Sequence, residues 1–296
     1  MKTSHTFGGD WTEQKLERLQ KYLKAYTTIF TKNERAQSLI PIYVDAFAGT
    51  GYRTSPLQLT KSLKLFEEFT EPEVDNFLKG SARLALEVEP SFQKYVFIEQ
   101  NTARVGELQK LQTIFPQKQG NIQIIQSDAN SWLQGWCRGT DWKRHRAVVF
   151  LDPYGMQVEW TLIEALAKTK AIDLWLLFPL GMAVNRLLTK GGKPPPAWEQ
   201  ALTRVFGTED WRKNFYSQKT EPTLFGDIDV TVKEADFLKI GKFFVNRLKT
   251  VFSEVAENPL PLRNSRNTPL YLLCFAAGNP RGAKTAVRIA QHILRP

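Results

Sequence analysis

The feature that most constrains the fold is a regular alternation of apolar and helical segments between residues 82 and 178. The apolar segments are short and rich in valine, isoleucine, leucine and phenylalanine, at 95–99, 122–125, 147–152 and 173–178. Segments of helical character separate them, at 102–115, 131–137 and 158–168. Short apolar strands that alternate with helices are typical of a parallel sheet with helices on both faces.

The segments on either side extend this pattern. We predict a helix at 12–31, where an apolar stripe recurs at helical spacing, a strand at 40–47, and helices at 57–69 and 82–88. A helix at 235–250 is followed by strands near 254–256 and at 270–276 with no helix between them, which predicts an antiparallel pair, and a last helix spans 284–294. The whole predicts a Rossmann-like α/β fold with a mostly parallel, seven-stranded sheet.

Residues 181–234 interrupt the alternation, and we interpret them as an inserted cap. The run Gly191-Gly192-Lys193-Pro194-Pro195-Pro196 excludes a regular helix or a central strand at that point. The domain organisation is then an N-terminal helical segment at 1–34, a core at 35–180 and 235–296, and the cap. Basic residues in the cap are interleaved with Trp198, Trp211 and Tyr216, which suits a nucleic-acid strand. The alternative is a small satellite core.

The charge of the chain favours a polyanionic partner. Its 296 residues carry a formal net charge of +10. Six basic residues and no acidic residue follow Glu257: Arg263, Arg266, Arg281, Lys284, Arg288 and Arg295. A stretch of one sign favours nucleic acid, although a basic surface that only aids solubility is the alternative.

Other classes of protein are disfavoured. Cys137 and Cys274 lie far apart, and the three histidines have no metal-ligand spacing, so we expect neither a disulfide framework nor a zinc site. No apolar run reaches the roughly 20 residues that a membrane helix requires. The N-terminal residues lack the apolar core of a secretory signal. We therefore expect a cytoplasmic protein.

Candidate functional residues lie where predicted strands end, because ligands of open α/β sheets bind outside the carboxyl ends of the strands. The first such end is Asp45-Ala46-Phe47-Ala48-Gly49-Thr50-Gly51. Its glycines allow a tight turn and close approach to a ligand. A dinucleotide site would have a third glycine and an acid about 20 residues later, whereas the next strand-end acid here is Glu99. An ordinary glycine turn is the alternative.

Two further strand ends carry acids. Glu99 ends the strand at 95–99, where a carboxylate accepts hydrogen bonds from vicinal ribose hydroxyls. Asp128 follows the strand at 122–125 within Ser127-Asp128-Ala129-Asn130, where an acid accepts from the exocyclic amine of adenine. For Glu99, the alternative is a solvated strand-end acid. Three such ends in succession favour a nucleoside ligand.

The fourth end is Leu151-Asp152-Pro153-Tyr154-Gly155. Asp152 follows five apolar residues, and a carboxylate at this place accepts from an amine and increases its nucleophilicity. Proline fixes the backbone, and Tyr154 offers a ring that stacks on a base. The alternative is a rigid turn with a capping aspartate.

Several segments together resemble the family of three-Cys-motif partner proteins, TcmP. They are Trp11-Thr12-Glu13-Gln14-Lys15, residues 43–51, residues 150–158, Leu176-Leu177-Phe178-Pro179-Leu180-Gly181 and residues 270–280. The resemblance covers nearly the whole chain and implies a partner with three cysteines, similar to radical-SAM or iron–sulfur proteins and encoded nearby. The core also resembles class I methyltransferases, which use S-adenosyl-L-methionine (SAM), and the ribosomal-RNA adenine methyltransferases of the RlmJ type.

The resemblance implies roles for the strand-end residues. Asp45, Gly49 and Gly51 would hold SAM together with the adjacent Phe47 and Thr50, Glu99 would hold the ribose, and Asp128 with Ala129 the adenine. Asp152, Pro153 and Tyr154 would form the catalytic mouth, which implies methyl transfer to an exocyclic amine of a nucleic-acid base. Amine methyltransferases usually have two prolines after the aspartate, and this chain has one.

Two other hypotheses stay open at this point. In the first, the chain is a non-catalytic SAM-binding or docking partner of the three-cysteine protein. In the second, it is a nucleic-acid-processing enzyme whose strand-end acids hold magnesium. A pyrimidine-carbon methyltransferase needs a cysteine nucleophile, and neither cysteine lies in a strand-end turn.

Overall fold

Five parallel strands form the larger part of the sheet in the computed structural model, which describes residues 10–48, 80–224 and 226–295. They are β1 (Ile40–Asp45), β2 (Lys94–Glu99), β3 (Ile122–Gln126), β4 (His145–Leu151) and β5 (Ile172–Phe178). Their order in the sheet is β3-β2-β1-β4-β5. The order reverses on either side of β1, so β1 and β4 flank the switch point at which open α/β sheets bind ligands.

Helices connect these strands. In chain order they are α1 (Asp10–Lys32), the single turn α2 (Glu34–Gln37), α3 (Ser81–Glu87), α4 (Thr102–Ile114), α5 (Ala129–Gly139) and α6 (Trp160–Lys168). A 3₁₀ segment, Pro116–Asn121, joins α4 to β3. Asn101 accepts the backbone N–H groups of Ala103 and Arg104 and so caps α4.

The stretch between β5 and the C-terminal part contains both helices and a hairpin. A π-helical turn at Leu180–Val184 continues into a short helix at Asn185–Leu187, and α7 (Pro196–Phe206) and α8 (Trp211–Phe215) follow. Strands β6 (Tyr216–Thr223) and β7 (Gly226–Lys233) then pair antiparallel as a separate two-stranded ribbon. Residues 218–224 and 226–229 of this ribbon are exposed.

The C-terminal part completes the main sheet. Helix α9 (Phe237–Lys249) leads to β8 (Glu254–Val255), β9 (Leu260–Arg263), β10 (Pro269–Ala277) and α10 (Ala283–Ile293). Strand β10 pairs antiparallel with β5 on one side and with β8 and β9 on the other. The sheet order is therefore β3-β2-β1-β4-β5-β10-β8, with β9 also paired to β10.

The predicted fold class and the antiparallel C-terminal pair are confirmed, with eight strands in the sheet rather than seven because β9 also pairs with β10. Several boundaries differ from prediction by up to two residues: for example, the first strand ends at Asp45 rather than at residue 47, and α5 begins at Ala129 rather than at residue 131. The second difference arises because the Asp128 side chain accepts the backbone N–H of Ser131 and starts the helix earlier. The helix predicted at 57–69 lies outside the described residues.

The core has two layers, one on each face of the sheet. Side chains that alternate along the strands divide between them, as strand geometry requires. Tyr43, Phe97 and Phe150 belong to the layer beneath α1 and α10, whereas Val44, Ile98 and Leu151 belong to the layer beneath α6 and α9. Burying each such side chain contributes about 1.5–3 kcal/mol.

Helix α1 crosses one face of the sheet from the carboxyl ends of the parallel strands to their amino ends. Lys15, near its start, reaches Asp152 just after β4, and Tyr22, two turns later, reaches Asp173 at the start of β5. The buried stripe runs through Trp11, Lys15 and Tyr22, and Leu16 lies at its margin, half-buried. Among the described residues, no helix combines the length and apolarity needed to cross a bilayer.

Candidate functional site

Two carboxylates meet where β1 and β4 end. Asp45 is the last residue of β1 and pairs in register with Phe150 of β4, two positions before Asp152. The backbone N–H of Ala46 donates to the carbonyl of Phe150 at 3.1 Å, which holds the two ends together. The side chains of Asp45 and Asp152 are 0% and 2% exposed. The two strand-end acids singled out in the sequence therefore lie at one rim of the sheet, and their roles stay predictions.

A buried lysine neutralises one of these carboxylates. The ammonium of Lys15 donates to Oδ2 of Asp152 at 2.5 Å, and its side chain is 0% exposed. Within the described part of the chain, the other oxygen of Asp152, Oδ1, is buried and has no hydrogen-bond partner. Burial raises the pKa of Asp152, and the ammonium of Lys15 opposes that rise. A buried carboxylate oxygen without a donor is unusual, and Oδ1 can accept one further hydrogen bond.

Asp45 lies in a different environment from Asp152. Burial raises the pKa of Asp45 to about 7; the Ser81 hydroxyl opposes this rise and Asp152 adds to it. The backbone N–H of Phe47 and the hydroxyl of Tyr43 approach its two oxygens at 3.4 Å. Two carboxylates and one ammonium thus share the centre, and their summed charge is negative when all three are ionised.

The loop after Asp152 is fixed by side-chain amides. Pro153 is buried, Tyr154 is partly exposed, and Gly155 has a φ of 74°, which favours glycine. The backbone N–H of Tyr154 donates to Oε1 of Gln157 at 3.0 Å. Asn130 donates to the Gln157 carbonyl at 2.8 Å, and its amide oxygen accepts from the backbone of Glu159. This network ties the loop to the start of α5.

Glu99 lies at the predicted strand end and is buried. Its Oε1 accepts the backbone N–H of Asn101 at 2.7 Å, and the guanidinium of Arg104 lies 3.6 Å from the same oxygen. The backbone N–H of Ala48 donates to the carbonyl of Ile98, so the segment after β1 runs beside the end of β2. Glu99 is thereby placed on the same rim as Asp45. Its role toward a ribose stays a prediction.

Asp128 is exposed and acts as a helix cap. Its Oδ1 accepts both the backbone N–H and the hydroxyl of Ser131, at 2.9 and 3.0 Å, while Ala129 is buried at the start of α5. The predicted contact with adenine stays a prediction. The glycine segment, Gly49, Thr50 and Gly51, lies outside the described residues. A cavity of about 10 Å³ beneath Pro153 and Gly155 has room for one water, not for a nucleoside.

Sequence reasoning missed three residues of this centre. Lys15 belongs to the segment Trp11–Lys15 that carries the family resemblance, and a lysine aligned with Leu19 and Tyr22 on an apolar helix face is a sign of a buried cation. Trp11 stacks on Tyr271 of β10, with ring centroids 5.4 Å apart. The sequence gives no sign of Ser81, which reaches Asp45 from α3.

The predicted stacking surface of the cap is partly wrong. Trp211 is completely buried and belongs to the hydrophobic core, and Trp198 and Tyr216 pack against that core. Arg212 forms a two-pronged ion pair with Glu199, at 2.6 and 2.9 Å. These rings pack inward because α7 and α8 cover α6 and α9. Trp211 is therefore not available to a base.

The described residues give no support to a metal centre or to a reactive thiol. Within residues 10–48, 80–224 and 226–295, no group of three or more His, Cys, Asp or Glu side chains is placed to hold a metal ion. Cys137 and Cys274 are buried as free thiols, and burial raises the pKa of both. Neither is poised to act as a nucleophile.

The chain is distantly similar to several solved structures, while no protein-family model and no curated protein sequence matches it. The protein LPL1258 of Legionella pneumophila is 15% identical, with a TM-score of 0.41 over 83% of this chain and 94% of its own. The magnesium protoporphyrin IX methyltransferase ChlM of Synechocystis, with bound S-adenosyl-L-homocysteine (SAH), is 15% identical, with a TM-score of 0.30 over 79% and 90%.

The yhhF protein of Escherichia coli, described as a methyltransferase, is also 15% identical, with a TM-score of 0.28 over 73% of this chain and 87% of its own. Such values are too low to transfer a substrate or a cofactor. The argument for function therefore depends on the residues at the rim.

Proposed function

We propose that this chain is a SAM-dependent methyltransferase of the three-Cys-motif partner type that methylates an exocyclic amine of a nucleic-acid base. The observation that carries the proposal is the centre formed by Asp45, Asp152 and Lys15. One oxygen of Asp152 is held by Lys15 and the other is buried without a donor. A centre with an open anionic acceptor suits an amine substrate, whose N–H is a donor.

The charge of the centre fits a cationic cofactor. Lys15 is paired with Asp152, so Asp45 supplies the uncompensated negative charge of the centre when it is ionised, and both carboxylates are buried. A sulfonium next to them would restore electroneutrality, and electrostatic interactions are strong in a site from which water is excluded. We propose that Asp45, Phe47, Gly49, Thr50 and Gly51 hold SAM on one side, and that Glu99, Asp128 and Ala129 hold its ribose and adenine.

The chain's own residues then have separate tasks in the reaction. Bound SAM supplies a methyl group on a positively charged sulfur. Oδ1 of Asp152 accepts an N–H of the substrate amine and orients the nitrogen lone pair. Methyl transfer would leave a positive charge on the substrate nitrogen, and the carboxylates of Asp45 and Asp152 would stabilise that charge. Oδ1 of Asp152 would hold the departing proton by its hydrogen bond until the proton passes to solvent. Tyr154, partly exposed beside Asp152, offers its ring to the base.

Radiolabelled methyl transfer tests the proposal directly. The wild-type chain, given methyl-tritiated SAM and total RNA or genomic DNA from an expression host, should label one of the two. Asp152→Asn should lower the rate at least 100-fold, which is within the range for loss of a group that binds the transition state, and leave the SAM affinity within about threefold. Asp173→Asn, a second buried aspartate at the other end of the sheet, is the matched control and should retain activity.

Calorimetry tests the cofactor assignment separately. Glu99→Gln should weaken SAM binding by roughly tenfold, since a hydrogen bond to a charged group contributes about 1.5–3 kcal/mol. Glu107→Gln on the exposed face of α4 is the control and should bind normally. A wild-type chain that binds neither SAM nor SAH would exclude the methyltransferase proposal.

A docking role is the second candidate, and the β6–β7 ribbon favours it. The outer half of the ribbon is exposed, including Leu224 at 100% and Ile228 at 49%. Two-stranded hairpins are only marginally stable in water on their own. Co-purification of the chain with the three-cysteine protein encoded nearby tests this role, and Leu224→Asp should weaken the association while preserving SAM binding.

A further inference from the structure

Lys15 is a buried cation in the centre described above, and the proposed reaction gives it no separate task. It lies on the buried face of α1, 0% exposed, with its ammonium on Oδ2 of Asp152 and 5.7 Å from the centre of the Phe150 ring. Its neighbours along that face, Leu19 and Tyr22, are also buried. Placing a lysine there removes its charge from water, which is costly even when a carboxylate is near.

Stability alone does not account for this pair. Apolar residues of similar volume at such positions are often as stable as a buried ion pair, or more stable. The other buried lysine of the described chain differs in kind: Lys118 donates to the carbonyl of Leu86 and to the exposed Glu89. Lys118 braces two surface segments, whereas Lys15 contacts a carboxylate at the ligand-binding rim.

We propose that Lys15 is a positioning residue for methyl transfer, one that holds Oδ2 of Asp152 so that Oδ1 remains an ionised, open acceptor for the substrate N–H. This inference depends on the function proposed above for its catalytic meaning. Asp152 is anchored at one oxygen by an element remote in sequence, 137 residues away. The anchor fixes the rotation of the carboxylate, and with it the position of Oδ1.

The ammonium also favours the ionised form of Asp152, although burial lowers the pKa of Lys15 itself, with Asp152 and Asp45 opposing that fall. Burial favours the neutral acid, and a neutral Asp152 would carry a proton that competes with the substrate N–H. Lys15 opposes this protonation. Among the described residues, Asp45 and Tyr43 from β1 and Tyr271 from β10 also interact with Asp152; none of these three supplies a positive charge. Within the described residues that face this carboxylate, the compensating charge is that of Lys15.

The experiment compares four variants across pH. Lys15→Gln removes the charge, Lys15→Met also removes the polarity, Lys15→Arg keeps the charge, and Lys118→Gln is a buried-lysine control. Methyl-transfer rates are measured from pH 5.5 to pH 9.5, SAM affinity is measured by calorimetry, and circular dichroism verifies folding. Selective ¹³C labelling of aspartate, with Asp152→Asn for assignment, follows the ionisation of Asp152 without reference to catalysis.

Loss of the ammonium should move the acidic limb of the rate profile. In Lys15→Gln, the limb and the ¹³C transition of Asp152 should both move up by at least about one pH unit, which is tenfold in protonation. Activity at pH 7 should fall at least tenfold and recover substantially near pH 9, with SAM affinity within about threefold of wild type. Lys15→Arg should retain the wild-type limb, and Lys118→Gln should change neither profile.

The failures of the two proposals are distinguishable. A Lys15→Gln chain whose activity falls equally at every pH, with an unmoved ¹³C transition, would show a purely structural lysine and overturn the inference. If Lys15→Gln and Lys15→Met do not fold, a Lys15→Arg chain with a wild-type ¹³C transition supports the inference, and an altered one overturns it. If the wild-type chain transfers no methyl group but Lys15→Gln still moves the ¹³C transition of Asp152, the methyltransferase function is wrong. The assigned effect of Lys15 on the ionisation of Asp152 then stands.

Discussion

Lys15 near the start of helix α1 and Tyr22 near its middle contact two buried aspartates, and the two contacts differ in charge. At the carboxyl ends of the strands, Lys15 offers Asp152 a full positive charge and leaves one oxygen without a donor. At the amino ends, the neutral hydroxyl of Tyr22 donates to Asp173 at 2.6 Å. Both aspartates are buried, so both have raised pKa values.

The difference indicates which end is built for a ligand. The pKa of Asp173 is raised by burial to about 7, with the Tyr22 hydroxyl and the charge of Arg146 opposing the rise. Such a group accepts a proton at neutral pH at little cost and serves as a brace between α1 and β5. At Asp152 the ammonium of Lys15 opposes the rise in pKa and so favours the ionised form, which is the form that accepts from an incoming donor. Variants and pH changes that affect Asp152 and Asp173 differently therefore test this comparison most directly.

The largest expected effect is on the free energy of unfolding when Asp152, the partner of the Lys15 ammonium, is changed. Asp152→Asn leaves the Lys15 ammonium buried without its anion and should lower the free energy of unfolding at pH 7.5 by about 3–5 kcal/mol. Asp173→Asn keeps an oxygen that accepts from Tyr22 and should change it by less than about 1 kcal/mol. Urea unfolding measures both. Equal losses in the two variants would remove the distinction between the ends.

The next largest effect is expected on stability when the neutral hydroxyl of Tyr22, the partner of Asp173, is removed. Tyr22→Phe removes the donor to Asp173 and should destabilise the fold by about 1–3 kcal/mol. Because the folded-state pKa of Asp173 lies above its unfolded value, stability associated with this group is present at low pH and falls as pH rises toward 7. Losing a donor to the ionised form should therefore cost more at pH 8 than at pH 5.5. Thermal melts at the two pH values measure this, and SAM binding should not change.

A smaller effect concerns the cofactor. Since the pKa of Asp45 is about 7, its negative charge appears between pH 6 and pH 8. If Asp45 attracts a sulfonium, SAM affinity should rise roughly tenfold over that range, in proportion to the ionised fraction. SAH, which lacks the positive sulfur, should show a weaker dependence, and Asp45→Asn should flatten the SAM curve. A pH-independent SAM affinity in the wild type would contradict the role of Asp45.

The smallest effect separates capping from ligand binding at Asp128. Asp128→Ser retains a capping oxygen for α5, so stability should change by no more than about 0.5 kcal/mol. SAM affinity should nevertheless fall a few-fold if the carboxylate accepts from adenine. Asp236→Ser provides the matched control, because Asp236 caps α9 by accepting from Lys239. Unchanged SAM binding in Asp128→Ser would leave Asp128 as a cap alone.

The sequence predicts the sheet well because buried parallel strands carry their own pattern. Strand β5 is apolar at six of its seven positions. A strand with one face in solvent would instead alternate apolar and polar residues. The acids at strand ends follow from the same logic: once β1 and β4 are neighbours in the sheet, Asp45 and Asp152 must share a rim. Their proximity was therefore predictable without knowledge of any contact.

What the sequence could not predict depends on contacts between distant segments. The pairing of Lys15 with Asp152 requires the direction in which α1 crosses the sheet, and the pattern of α1 fixes only which residues face inward. In the cap, the sequence predicts a binding surface that the structure does not have at Trp211. Its aromatic and basic residues suit a nucleic-acid strand, but the packing of α8 buries Trp211 in the core. Aromatic content alone does not distinguish a ring that binds from one that packs.

The path of α1 across the sheet links assembly of the centre to closure of the core. The same helix covers Trp175 and Phe275 with Tyr22 and delivers the counter-charge of Asp152. Any state in which α1 detaches exposes an aromatic surface and at the same moment leaves Asp152 without its cation. If Asp152 and Lys15 form the catalytic centre proposed above, a partly folded chain in which α1 is detached should therefore be inactive.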